Sequence, residues 1–152
     1  MEEFQKNLKE AIRQLKIADH LTYVTFPIVN EKRLLLKIFD EIYNSVINCI
    51  YSILKYEYYY KRIILYADFN DNFETFMSLS KNYGLTSEQV RKIKLIIEIN
   101  KKHKKSPLEF VKKEKIVIMS DNLNTEIIDL RSIKEYLLLA KEFLMKVSKR
   151  VQ

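Results

Sequence analysis

The chain has 152 residues, a size that suits one domain able to bury a core without staples, and its single cysteine, Cys49, excludes a disulfide framework or a Cys-rich metal site. One glycine and two prolines favour long elements over tight turns. The net charge of +7 is lopsided: residues 1–80 carry 10 basic and 11 acidic side chains, residues 81–152 carry 17 and 9, and Lys81 to Lys115 alone holds 11 against 4. An anionic partner would meet that block first.

In chain order, Phe4, Leu8, Ala11, Ile12, Leu15 and Ala18 recur at helical spacing and predict a first helix from about Glu2 to Tyr23. Pro27 and the extended preference of the residue before it should end that segment, leaving Asn30 to cap the next helix. Asp19 falls at an angle among Leu8, Ile12 and Phe26, so it is expected to be buried and paired with a Tyr, Lys or Arg of the next helix, since an unpaired buried carboxylate is costly.

Glu31 to Tyr66 runs without Gly or Pro and reads as one long helix, roughly 54 Å at 1.5 Å per residue. Its only polar stripe is Lys37, Glu41, Asn44, Asn48, Lys55 and Arg62. A helix apolar over most of its circumference must be covered on several sides, which makes it the centre of a bundle. The other predicted helices look too short to cover it, so a homodimer is expected. Cys49, at an apolar position, reads as a small buried hydrophobe, and Tyr56, Tyr58, Tyr59, Tyr60 and Tyr66 as packing residues whose angles scatter round the helix.

Asp68 to Asn72 breaks the pattern, and a short helix carrying Phe73, Phe76, Met77 and Leu79 follows. Gly84 suits a left-handed helix end, and Thr86 with Gln89 has capping-box spacing at the start of a helix from Ser87 to about Lys104. Ser106 and Glu109 repeat that spacing and predict a helical turn through Val111. Lys115–Met119 and Asn124–Asp129 read as two strands of a hairpin around Ser120, Asp121 and Asn122. The last helix should span about Arg131 to Val151. The expected fold is thus all-α: a single-domain helical bundle around one long central helix, with a small two-stranded β-hairpin before the last helix.

Several chemistries are excluded. Neither His20 nor His103 has a Glu three residues before it, so the Glu-x-x-His pairs of a dimetal bundle are missing. With Gly84 the only glycine, there is no Gly-rich phosphate loop and no nucleophile elbow. No cofactor or metal is expected. The N-terminus opens on Glu2, Glu3 and Lys6 rather than an apolar run, and no stretch reaches 18 uncharged apolar residues. The expectation is therefore a cytoplasmic protein with no membrane partner.

Two constellations remain. Arg91, Lys94, Lys101, Lys102 and Lys105 fall within about 100° on the fourth helix, a basic face able to meet phosphates along RNA or DNA, while His103 reads as a surface histidine. Arg13 and His20, with Lys16 between them, share the polar side of the first helix. In that pair the chain resembles the HEPN family of all-α domains, whose ribonuclease members carry Arg and His with four to six residues between them; Arg13 and His20 have six. The resemblance implies a metal-independent ribonuclease in which His20 is acid/base and Arg13 stabilises phosphate. The leading reading is a non-enzymatic module contacting RNA or DNA through the basic face. The alternatives are the HEPN-like ribonuclease and a structural subunit that binds another protein.

Overall fold

A computed structural model describes residues 1–106, 108–120 and 124–151, leaving aside the side chain at position 108. The expected architecture is present, with three strands instead of two. Helix α1 (Glu3–His20) opens with the Glu2 N–H donating to Gln5 Oε1 at 2.9 Å. Its chain does not stop before Pro27. Leu21–Thr25 widens into a π-helical turn in which the Phe26 N–H reaches the Leu21 carbonyl, and Phe26–Val29 continues as α2. Widening shifts the bonding pattern where Pro27 has no N–H to give, so the helical path survives the proline. Asn30, expected to start the next helix, ends this one: its φ of 51° is left-handed, a conformation that asparagine tolerates.

Helix α3 spans Leu34–Tyr59, shorter than the Gly-free stretch suggested. It stops because Lys61 turns left-handed at φ 61°, with Lys61 N–H bonded to the Tyr58 carbonyl and Arg62 N–H to the Glu57 carbonyl at 2.9 Å each. That is the usual double closure of a helix end, built here on lysine. The Glu57 carboxylate, 2% exposed, binds the Arg62 guanidinium and accepts from the Tyr83 hydroxyl at 3.1 Å. Burial, with that carboxylate next to it, pushes the Tyr83 phenol well above its ordinary range.

Helix α1 runs antiparallel to α3 along a seam of small residues. Ser52 Oγ donates to the Phe4 carbonyl and Ser45 Oγ to the Ala11 carbonyl, both at 2.8 Å. The donors are seven residues apart and so are the acceptors, so each contact repeats after two turns. Hydroxyls bonded to the facing backbone require the helices to approach closely, and Ala11, Ala18 and Cys49 leave room for it. Much of the polar stripe of α3 is used inside this seam: Asn48 accepts from Asn7 at 2.8 Å and donates to Gln14 at 2.9 Å, while Glu41 is buried and bound by Lys37. Cys49 is buried as expected, and burial pushes its thiol far up.

The remaining elements close round α3. Helix α4 (Phe69–Leu79) is capped by Asp68, and a 3₁₀ turn, Ser80–Tyr83, ends on left-handed Gly84. Thr86 and Gln89 then form the predicted capping box for α5 (Ser87–Lys105). Helix α6 (Leu130–Val151) packs on α1 and α3 through residues such as Leu137, Ala140 and Phe143. Leu35, Ile38, Phe39, Ile42, Val46, Ile50, Ile53 and Leu54 of α3 are all fully buried within the one chain, so that face of α3 is covered without a second subunit. Asp19 is paired with Lys141 of α6 at 2.5 Å rather than with α3, and both side chains are 44% exposed. Docking of α6 beside α1 leaves this carboxylate at the rim of the seam, not in the core.

Ser106 and Glu109 do not start a helical turn. Strand β1 (Leu108–Lys112) pairs antiparallel with β2 (Lys115–Met119), which pairs antiparallel with β3 (Thr125–Ile128). The local cap is outcompeted, because Ser106 Oγ donates to the Met119 carbonyl at 2.7 Å and Glu109 goes to His103. The predicted turn residues Asp121 and Asn122 lie outside the described residues. Ile116, Ile118 and Ile128 seat the sheet in the core.

Two variants test this packing. Ser45→Leu pushes bulk into the α1–α3 seam and should cost about 1–3 kcal/mol, the scale of overpacking, whereas Asp19→Ala removes an exposed ion pair and should cost under about 1 kcal/mol. Urea unfolding of both would check the order; equal losses would misplace the seam.

Candidate nucleic-acid interface

The capping box fixes where α5 starts, and its apolar stripe, Ile93, Ile96, Ile97 and Ile99, turns into the bundle. The basic face is what remains outside. Its five predicted cations are not equivalent. Arg91 is held by Glu88, Nε to Oε2 at 2.9 Å and a terminal nitrogen to Oε1 at 2.5 Å. This hydrogen bond lowers the Glu88 carboxyl from its ordinary value and raises the Arg91 guanidinium. Lys102 is bound by Glu126 of β3 at 2.7 Å. Lys94, Lys101 and Lys105 are exposed and have no acidic partner among the described residues. Exposed Glu98, one turn from Lys94 and from Lys101, lies on the same face. The first half of the face is therefore of mixed sign.

The unbalanced charge is concentrated at the far end. Exposed Lys101, Lys104 and Lys105 close α5, and exposed Lys112, Lys113 and Lys115 follow on the β1–β2 hairpin. Two acids of the same block are engaged within the chain. Glu109 Oε2 meets His103 Nδ1, and Glu114 meets Lys32 at 2.5 Å, a contact that ties the hairpin turn to the chain just before α3. Lys112 and Lys115 face each other across the strands as direct partners.

His103 is not a surface histidine. Its side chain is 14% exposed, its Nδ1 bonded to Glu109 and its Nε2 lying 3.4 Å from Asp40 of α3. It joins α5, β1 and α3, so both nitrogens are engaged within the chain. Among the described residues no group of three or more His, Cys, Asp or Glu is arranged to hold a metal ion, and no helix is long and apolar enough to cross a membrane.

Arg13 and His20 are both exposed on α1. The Arg13 guanidinium is taken by Glu10, Nε to Oε2 at 3.0 Å, which raises it from its ordinary value. Arg13 lines a surface hollow of about 500 Å³ and His20 another of about 430 Å³ with Asp19, Tyr23 and Lys141; Ile12 and Lys16 border both. The structure thus places the two on the same helix but in neighbouring hollows.

Tyr58, Tyr59, Tyr60 and Tyr66 are about half-exposed rather than core. Tyr59 meets Phe4 and Tyr60 edge-on at 5.5 and 5.0 Å between centroids, and Arg62 lies over Tyr60 at 5.0 Å. Tyr59 and Tyr60 are thus engaged with neighbouring rings.

Sequence reasoning missed the hairpin lysines as site residues and Glu98 as a member of the face. Both signals were local: Glu98 stands at helical spacing from Lys94 and Lys101, and Lys112, Lys113 and Lys115 fall within four consecutive residues. Comparison with protein-family models, with curated proteins and with solved structures finds no match for this chain.

If His103 pins the sheet, His103→Ala leaves Glu109 and Asp40 without their partner and should cost about 1–3 kcal/mol, the scale for an unsatisfied, partly buried group. Amide exchange should quicken in Leu108–Met119 and stay unchanged along the α1–α3 seam. Unaltered exchange in the strands would show that the isoleucines alone hold the sheet.

Proposed function

We propose that the protein is a non-enzymatic module that binds RNA or DNA through the C-terminal end of α5 and the adjoining hairpin. One observation carries this reading: Lys101, Lys104, Lys105, Lys112, Lys113 and Lys115 stand exposed without acidic partners among the described residues, while Glu109 and Glu114 of the same block are engaged by His103 and Lys32. Closely spaced lysines of one sign repel each other, a cost that is relieved when phosphates replace their counterions. Arg91 and Lys102, already paired with carboxylates, contribute less than the sequence suggested.

The experiment is a salt titration of affinity for a short duplex DNA. Lys101→Gln, Lys104→Gln and Lys105→Gln combined should leave folding intact and reduce the slope of log affinity against log salt by up to about 2.7, about 0.9 per lost phosphate contact. Arg91→Gln should change it little. Arg13→Ala and His20→Ala should bind as the wild type does; RNA cleavage by the wild type that either variant abolishes would put the HEPN-like ribonuclease reading first. A triple variant with an unchanged slope would refute the proposed surface.

A further inference from the structure

We infer that the outer face of the small sheet receives an unstacked base, so that the nucleic acid bound at this end is single-stranded. This rests on the reading that the neighbouring lysines meet phosphates. The strand register sets Phe110, Val117 and Ile127 side by side. Because side chains alternate between faces, Lys112 and Lys115 belong to the same face, one row further along. The opposite face is the one that packs on the bundle: it carries Ile116, Ile118 and Ile128, buried in the core, and Glu109 and Glu126, bound by His103 and Lys102 of α5.

The outer row is apolar yet stands apart from that core. Val117 is buried, Phe110 is partly exposed and Ile127 is 46% exposed, and none of the three belongs to the main hydrophobic cluster or packs against it. A strand such as Ile116–Met119, apolar on both sides, is the pattern of a strand covered on both faces. The charge beside it selects the occupant. Lys112 and Lys115 are direct cross-strand partners, an arrangement in which like charges repel, and neither has an acidic partner among the described residues.

An aromatic ring next to two unpaired cations suits a ligand that offers a flat apolar surface and an anion within one repeat. A duplex hides its bases and offers only phosphate; a single strand offers both, with a base on the ring and the backbone on the lysines. The hairpin then does more than extend the basic end of α5: it chooses strandedness.

The test uses the full chain, a short oligouridylate and an RNA duplex of equal length, with binding followed by fluorescence anisotropy. The single strand should bind more tightly than the duplex. Phe110→Leu, which keeps apolar bulk but removes the ring, should weaken oligouridylate binding roughly 5- to 100-fold, the range that loss of one base–aromatic stack gives, and leave duplex binding and the salt slope unchanged. Phe110→Tyr should bind like the wild type. Lys112→Gln with Lys115→Gln should weaken both ligands and lower the single-strand salt slope by up to about 1.4. Equal binding of the two ligands with no effect of Phe110→Leu overturns the single-strand inference and leaves the phosphate reading standing; no binding of either ligand overturns both. A Phe110→Leu variant that only dissociates a dimer of this chain would also overturn it, placing the face between copies.

Discussion

Leu35, Ile38, Phe39, Ile42, Val46, Ile50, Ile53 and Leu54, with Ser45, Cys49 and Ser52 beside them, bury more than half of the circumference of α3, and covering that broad face is the requirement that the rest of the fold answers. The tightest cover is α1. Ser45 and Ser52 bond the facing backbone of α1, which is feasible only where the helices lack large side chains between them, so the seam fixes register as well as distance. With α1 on one side and α6 on another, α4 and α5 complete the bundle, and the sheet lies near the start of α3, where Glu114 meets Lys32 and His103 meets Asp40.

The position of the sheet follows from that requirement and determines the surface. A small sheet has no independent stability in water, so it is held by three buried isoleucines and by polar contacts from α5: Lys102 to Glu126, and His103 to Glu109. The first neutralises one lysine of the basic block and the second engages Glu109 of that block. What stays outside is lysine without counter-charge at the end of α5 and on the hairpin, beside an apolar sheet face that the core does not use. Under the proposed function, packing and binding would be linked by a division of charge: Glu109 and Glu126 serve attachment of the sheet, and the unpaired ammonium groups would meet the partner.

The parts of this arrangement that were legible in the sequence are those decided by neighbours in the chain. Gly84 and the Thr86–Gln89 box announced the end of one helix and the start of the next because both signals are local and their bonds formed as expected. The end of α3 was not legible, since Lys61 adopts a conformation usually left to glycine. The continuation through Pro27 was hidden because a π-helical turn has no residue signature. At Ser106 and Glu109 a local cap was plausible, yet pairing with Met119 and His103 won; strand pairing is non-local, and spacing alone cannot weigh it. The candidate site divides in the same way. Helical spacing placed Arg91, Lys94, Lys101, Lys102 and Lys105 on one face, but the partner of Lys102 lies 24 residues further on, and the burial of His103 depends on Asp40 of α3.

The central claim is that nucleic acid docks at the end of α5 and on the hairpin. Amide chemical-shift mapping of the wild-type protein during titration with a short single-stranded oligonucleotide tests this most directly. The account predicts shifts grouped in Lys101–Lys105 and Phe110–Met119, with the α1–α3 seam silent. Shifts centred instead on Arg13 and His20, or none at saturating oligonucleotide, would contradict it.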